Sequence, residues 1–180
     1  MDYHILGCGG LGSLLAIQIA KCCKKFDRLF LYDFDIITKQ EFIFKKYDIG
    51  EYKIEVLKKI IQKENPNLVV NLNFVNIKKL QKTYKESLII DCRDDKKNLK
   101  NIDYDILVSI DKYLLTIDTR KNLDKSNVFK YYTSKKYYHV FNLAASIVLF
   151  FIKEYESIEY DNLYVFNLKK IITENLVFLS

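Results

Sequence analysis

Apolar residues along the chain follow two spacings. Tyr3 to Leu6 is a short apolar run that ends in glycines. Leu11, Leu14, Leu15, Ile19 and Cys22 then recur at helical spacing across Leu11 to Lys24, and Leu29 to Tyr32 forms a second apolar run that ends at Asp33. Together they predict a strand, a tight loop, a helix and a second strand. After an irregular stretch, Asp35 to Gly50, the segment Glu51 to Glu64 places Ile54, Leu57, Ile60 and Ile61 on one face of a helix. Asn65-Pro66-Asn67 stops it. Leu68 to Phe74 alternates as a strand, Leu80 to Glu86 reads as a short helix, and Leu88 to Ile90 is a buried strand ending at Asp91.

In the second half, Asp105 to Ile110 and Leu114 to Ile117 read as strands, Lys121 to Lys125 as a polar break, and Val128 to Thr133 as a further strand. His139 to Glu154 is a strongly apolar helix suited to packing on a sheet. Leu163 to Leu168 and Leu176 to Leu179 read as a closing hairpin, with Ile171-Ile172 blurring its turn. The element order predicts an α/β fold: a Rossmann-like, doubly wound, mainly parallel sheet with helices on both faces. A short mixed or antiparallel C-terminal extension completes it. Residues 1–180 are expected to form a single nucleotide-binding domain, since the length suits one core.

Composition narrows the class. Of 180 residues, 49% are apolar and 29% charged, as in a soluble globular protein. The net charge of +6 is spread along the chain. It argues little for nucleic acid and suits a polyanionic ligand such as ATP. No stretch reads as a signal peptide, and Leu143 to Ile152 is too short to cross a bilayer, so no membrane role is expected. Cys8, Cys22, Cys23 and Cys92 form no C-x-x-C pair. That pattern speaks against a zinc knuckle and for free thiols in a reducing, cytoplasmic setting.

The chemistry concentrates near the start. Gly7, Gly9 and Gly12 fit G-x-G-x-x-G between a strand and a helix. In that pattern the glycines permit a tight turn, close approach of backbone to phosphate, and close helix packing, while the helix start offers amides to an anion. Asp33, at the end of the next strand, stands where a carboxylate accepts from ribose hydroxyls. These two features suit NAD as well as ATP. His4 and His139 have no metal-ligand neighbours at suitable spacing and read as structural. Tyr131-Tyr132 and Tyr137-Tyr138, with Lys135-Lys136 between them, read as a solvated turn.

Five segments add a family resemblance. Gly7-Cys8-Gly9-Gly10-Leu11-Gly12-Ser13 resembles the glycine loop of the ThiF/MoeB/HesA-type adenylating domains of the ubiquitin-activating superfamily. Asp33-Phe34-Asp35 resembles their acidic pair, and Ile49-Gly50-Glu51-Tyr52-Lys53 their Gly-x-x-Lys. Glu64-Asn65-Pro66 matches their Asn-Pro, and Asp91-Cys92-Arg93-Asp94-Asp95 resembles their Asp-x-x-Asp-Asn. The resemblance implies ATP and Mg²⁺, with adenylation of the C-terminal carboxylate of a ubiquitin-like or sulfur-carrier protein. It implies that Gly7, Gly9, Gly10, Gly12 and Ser13 hold phosphate, that Asp33 holds the ribose and that Asp35 joins the nucleotide site. Lys53 would neutralise phosphate charge, and Asp94 would bind Mg²⁺. Lys53 and Asp94 are thus the implied catalytic pair.

The sequence also departs from that pattern. Glu41 and Phe44 stand where the resemblance calls for an Asn and an Arg, with Lys45 or Lys46 as possible substitutes. Asp95 replaces the final Asn, and no cysteine follows Cys92. Three functions follow as expectations. One is an adenylating domain that depends on a partner subunit, in a homo- or heterodimer or larger assembly. The second is a degenerate, non-catalytic assembly subunit. The third is an NAD-dependent oxidoreductase, which leaves Lys53 and the Asp91 to Asp95 segment unexplained.

Overall fold

A computed structural model describes residues 1–40, 43–80, 86–93, 101–111, 113–119, 138–154 and 162–176. Its centre is a seven-stranded sheet built from β1 (Asp2–Leu6), β2 (Arg28–Tyr32), β3 (Val69–Asn73), β4 (Ser87–Asp91), β5 (Ile106–Asp111), β6 (Leu114–Asp118) and β7 (Leu163–Asn167). The order is β3-β2-β1-β4-β5-β6-β7. β3 through β5 in that order are parallel, whereas β6 and β7 are antiparallel. The helices are α1 (Gly10–Cys22), α2 (Lys53–Glu64), α3 (Tyr138–Lys153) and α4 (Leu168–Leu176). A short 3-10 turn covers Lys46–Asp48. This is the expected Rossmann-like, mainly parallel sheet with an antiparallel C-terminal extension. Among the described residues, no helix is long and apolar enough to cross a membrane.

Strand periodicity explains the two layers. In β1, β4 and β5, Ile5, Leu88, Ile90, Ile106, Val108 and Ile110 point into the main core. Their neighbours Leu6, Ile89 and Leu107 point into a smaller core on the opposite face. Burial on both faces is why β4 and β5 read as near-continuous apolar runs. The main core receives Leu14, Leu15 and Ile19 from α1, Ile54, Leu57 and Ile61 from α2, and Val148 from α3. Ala16, Ala20, Ala144 and Ala145 are fully buried there, and these small residues let α1 and α3 pack closely.

The winding positions the site. From β1 the chain walks through α1, β2 and α2 to β3, then returns to place β4 on the other side of β1. Ile77, Ile102 and Tyr104, from the connections around β4, close the smaller core. The strand order therefore reverses between β1 and β4, which opens a crevice at the carboxyl ends of the strands.

One expectation is corrected. Leu163–Asn167 does pair antiparallel, but with β6, and Leu168–Leu176, where the turn of the expected hairpin would lie, is a helix; residues 177–179 of its second strand lie outside the described residues. Leu168, Ile171 and Ile172 stand at i, i+3 and i+4, with Leu168 fully buried and the two isoleucines packed on the main core. The residues that blurred a turn are one face of α4. Residues 81–85, 120–137 and 177–180 lie outside the described residues. With them go the body of the Leu80 to Glu86 helix, the Lys121 to Lys125 break and the Val128 to Thr133 strand.

Candidate functional site

The loop between β1 and α1 needs its glycines for different reasons. Gly7 has φ +84°, a left-handed conformation, and a Cβ there would meet Arg93 Cγ at 2.9 Å. A Cβ on Gly12 would strike the Gly7 carbonyl oxygen, so this glycine brings α1 against β1. Gly9 has an ordinary φ of −73°. A Cβ on it would meet nothing within 4 Å. Neither backbone nor packing requires a glycine here, so its bareness leaves space over the start of α1. No side chain caps that helix start. Its first amides and the positive end of its dipole therefore face that space.

Ser13 supports the loop from behind. It is fully buried, its Oγ donates to the Cys8 carbonyl at 2.7 Å, and its amide donates to the Gly9 carbonyl at 3.0 Å. The hydroxyl thus braces the loop from its buried side. The Cys8 thiol is also fully buried, and burial pushes its pKa well above the ordinary range. It behaves as a packed apolar group.

Asp33 joins the loop to β2. Its Oδ2 accepts the Cys8 amide at 2.7 Å and its Oδ1 accepts the Asp35 amide at 2.8 Å. Each oxygen retains lone-pair capacity beyond these bonds. Burial holds the Asp33 pKa above the ordinary carboxylate value; the two amides and Lys53 oppose the shift, and Asp35 adds to it. Lys53 opens α2, its amide donates to the Asp35 carbonyl at 3.0 Å, and its Nζ pairs with Asp35 Oδ2 at 2.7 Å. Gly50, at φ +97°, makes the turn that delivers Lys53.

At the end of β4, the fully buried Asp91 accepts a fork from Arg93, Nε to Oδ1 at 3.0 Å and Nη2 to Oδ2 at 2.6 Å. These parts surround one cleft of about 220 Å³. Its lining includes Gly7, Gly9 and Gly10 from the loop, Asp33, Asp35 and Lys53 around the start of α2, and Val75 to Ile77, Cys92 and Arg93, with Arg93 lying against Gly7. Gly12 and Ser13 lie behind this surface, and Asp94 lies outside the described residues. Sequence reasoning gave Arg93 no role, although an arginine two residues past a buried strand-end aspartate was the available signal.

Phe44 is 4% exposed and packs with Ile37 and Val56, away from the cleft. Lys45 and Lys46 are exposed, and neither lines the cleft. His4 stacks on Phe30 at 4.5 Å, and its Nδ1 lies 2.9 Å from the Tyr32 hydroxyl. The His139 side chain lies outside the described part. Among the described residues, no three His, Cys, Asp or Glu side chains are grouped to hold a metal.

Comparison with known proteins adds three findings. A model of the ThiF family matches residues 1–129. No curated protein matches the chain. Among solved structures, E. coli MccB with succinimide superposes with a TM-score of 0.67 at 20% identity, covering 93% of this chain and 64% of that one. E. coli MccB with ATP gives 0.65 at 20% identity, covering 93% and 63%. Selenomethionine PaaA gives 0.62 at 16% identity, covering 93% and 64%. The likeness to these structures is one of fold, and the chain spans less than two thirds of their length.

Proposed function

This chain belongs to the ThiF family, and from that premise we propose that its cleft binds ATP for adenylation of a carboxylate, with a partner subunit completing the chemistry. The observation that carries this reading is Gly9. It is bare for no internal reason, it lies over an uncapped helix start, and it shares one cleft with Asp33 and Lys53. The amides at the start of α1 face the phosphates. Asp33 accepts hydrogen bonds from the ribose hydroxyls, with Asp35 holding Lys53 beside it. The Lys53 ammonium offsets charge on the phosphate oxygens.

In the reaction, an oxygen of the substrate carboxylate bonds to the α-phosphorus. The bond from that phosphorus to the bridging oxygen breaks, and pyrophosphate leaves with the electron pair. Positioning and electrostatic stabilisation do most of such work. Asp94 is the proposed ligand of Mg²⁺, which would supply charge neutralisation at the phosphates when bound, and no step here depends on it. The MccB structures include one with ATP and one with N-formylated MccA. By analogy, the acceptor proposed here is the C-terminus of a ubiquitin-like or sulfur-carrier protein. We place the nucleotide site on one domain, residues 1–180, working as a homo- or heterodimer or in a larger assembly.

Calorimetry with ATP, with and without Mg²⁺, tests the reading: saturable binding that Lys53→Ala weakens supports it, and no heat of binding in either condition removes it. One observation favours a second reading, a non-catalytic assembly subunit: Phe44, at the position where the resemblance calls for arginine, is turned into a core. ATP binding without pyrophosphate exchange in the native complex would select that reading. The NAD alternative rests only on the glycine loop and Asp33, and a flat NADH fluorescence titration eliminates it.

A further inference from the structure

Arg93 lines the cleft, yet the nucleotide reading assigns it nothing. Its side chain is 13% exposed and its partner Asp91 is fully buried. Three segments meet on it. Its amide and its fork bind Asp91, the last residue of β4. Its Nη1 donates to the Ile77 carbonyl at 2.7 Å, in the connection that follows β3. Its backbone and Cγ lie against Gly7, at 2.9–3.0 Å from where a Cβ would stand. The anchor is central in the sheet, because Asp91 pairs in register with Leu6 of β1 and Leu107 of β5. A lysine cannot reproduce this geometry, since it lacks the planar fork that serves two acceptors at once.

We propose that Arg93 is the positioning residue of the cleft. Anchored on Asp91, it fixes the Val75 to Ile77 wall at a set distance from the Gly7 to Gly10 loop, so that a base seated on that partly apolar wall and a triphosphate at the loop are gripped as one unit. The fixing of the wall stands on geometry alone; the gripping of base and triphosphate rests on the nucleotide reading above. Two sub-sites held at a constant separation bind a linked ligand far better than either fragment. Arg93→Ala would strip a buried carboxylate of its partner and endanger folding, so Arg93→Lys is the informative variant.

The full chain and Arg93→Lys are compared by NMR below both melting points. In the variant, the Val75 amide is expected to exchange about tenfold faster, and order parameters across Val75 to Ile77 to fall, while Leu57 in α2 stays unchanged. Unchanged motion at Val75 to Ile77, or equal loosening of Leu57, overturns the proposal. Calorimetry then follows ATP, adenosine and tripolyphosphate. ATP affinity should drop about tenfold, and each fragment by less than about threefold. Equal losses for all three overturn the coupling. If the wild type binds no ATP, the nucleotide reading fails, and the NMR comparison alone decides the role of Arg93.

Discussion

Two glycines two and five residues beyond Gly7 should fail in opposite ways. Gly12→Ala drives a methyl into the Gly7 carbonyl and should cost about 1–3 kcal/mol, read as a lower urea midpoint. Gly9→Ala meets open space at an ordinary φ, so stability should stay within about 0.5 kcal/mol. Its ATP affinity should nevertheless fall at least about tenfold, because the methyl occupies the proposed phosphate space. Lys53→Ala should likewise spare the fold. Its ion pair with the 49% exposed Asp35 is worth at most about 1 kcal/mol, so a loss of nucleotide binding with a nearly unchanged midpoint is expected.

Asp33 gives the site a pH dependence. Burial keeps its pKa above 3.8, so the folded chain holds the proton to higher pH than the unfolded chain. Stability attributable to Asp33 therefore falls as pH rises from the ordinary aspartate range to the raised value, and the full cost persists above it. Asp33→Asn should lack this slope. Urea titrations across that window should show the variant gaining on the wild type as pH rises. ATP affinity of the wild type should weaken as pH drops through the same window, because protonation removes an acceptor for the ribose.

At the scale of elements, the contact between α1 and α3 is set by small residues. Ala144 and Ala145 of α3 are fully buried in the same core as Ala16 and Ala20 of α1, and the two helices are in contact. Ala144→Leu should therefore overpack the contact, at a cost of about 1–3 kcal/mol in the urea midpoint. The glycine loop rides on α1, so this variant should also blunt ATP binding, an effect that a surface change on α3 such as Phe150→Ser would not produce. α2 shows how an element delivers a side chain. Ile54, Leu57 and Ile61 bury one of its faces, which leaves Lys53 at its first position beside Asp35. α4 shows how local pattern misleads. Leu168, Ile171 and Ile172 stand at helical spacing where a turn is expected, over too few residues to stand out, and they pack together on the main core.

For the whole molecule, the sheet order brings residues far apart in sequence to one crevice. Gly9, Asp33, Lys53 and Arg93 come from three different connections, those after β1, β2 and β4, all at the carboxyl edge around β1. The crevice carries two lysine or arginine side chains among its described lining, each paired with an aspartate. With Phe44 standing where the resemblance calls for arginine, no further cation joins these two in the described lining. The isolated chain is accordingly expected to bind ATP yet to show little pyrophosphate exchange. Adding the native partner should raise exchange by a factor of about a thousand if that partner supplies an arginine. Exchange at full rate by the chain alone would refute the dependence.

The sequence by itself determined the β1-loop-α1-β2 unit, the run of β-α-β elements behind it, and the residue types of the glycine loop, Asp33 and Lys53. Each of these depends on spacing within a turn or a strand, and local sterics express that spacing directly. Tertiary structure alone decided the rest. It turned Ser13 behind the loop, turned Phe44 into a core, made Leu168–Leu176 a helix, and set Arg93 across three segments. Those outcomes depend on which distant segments meet, and a contact between Arg93 and Ile77 exists only once β3, β1 and β4 have taken their order in the sheet.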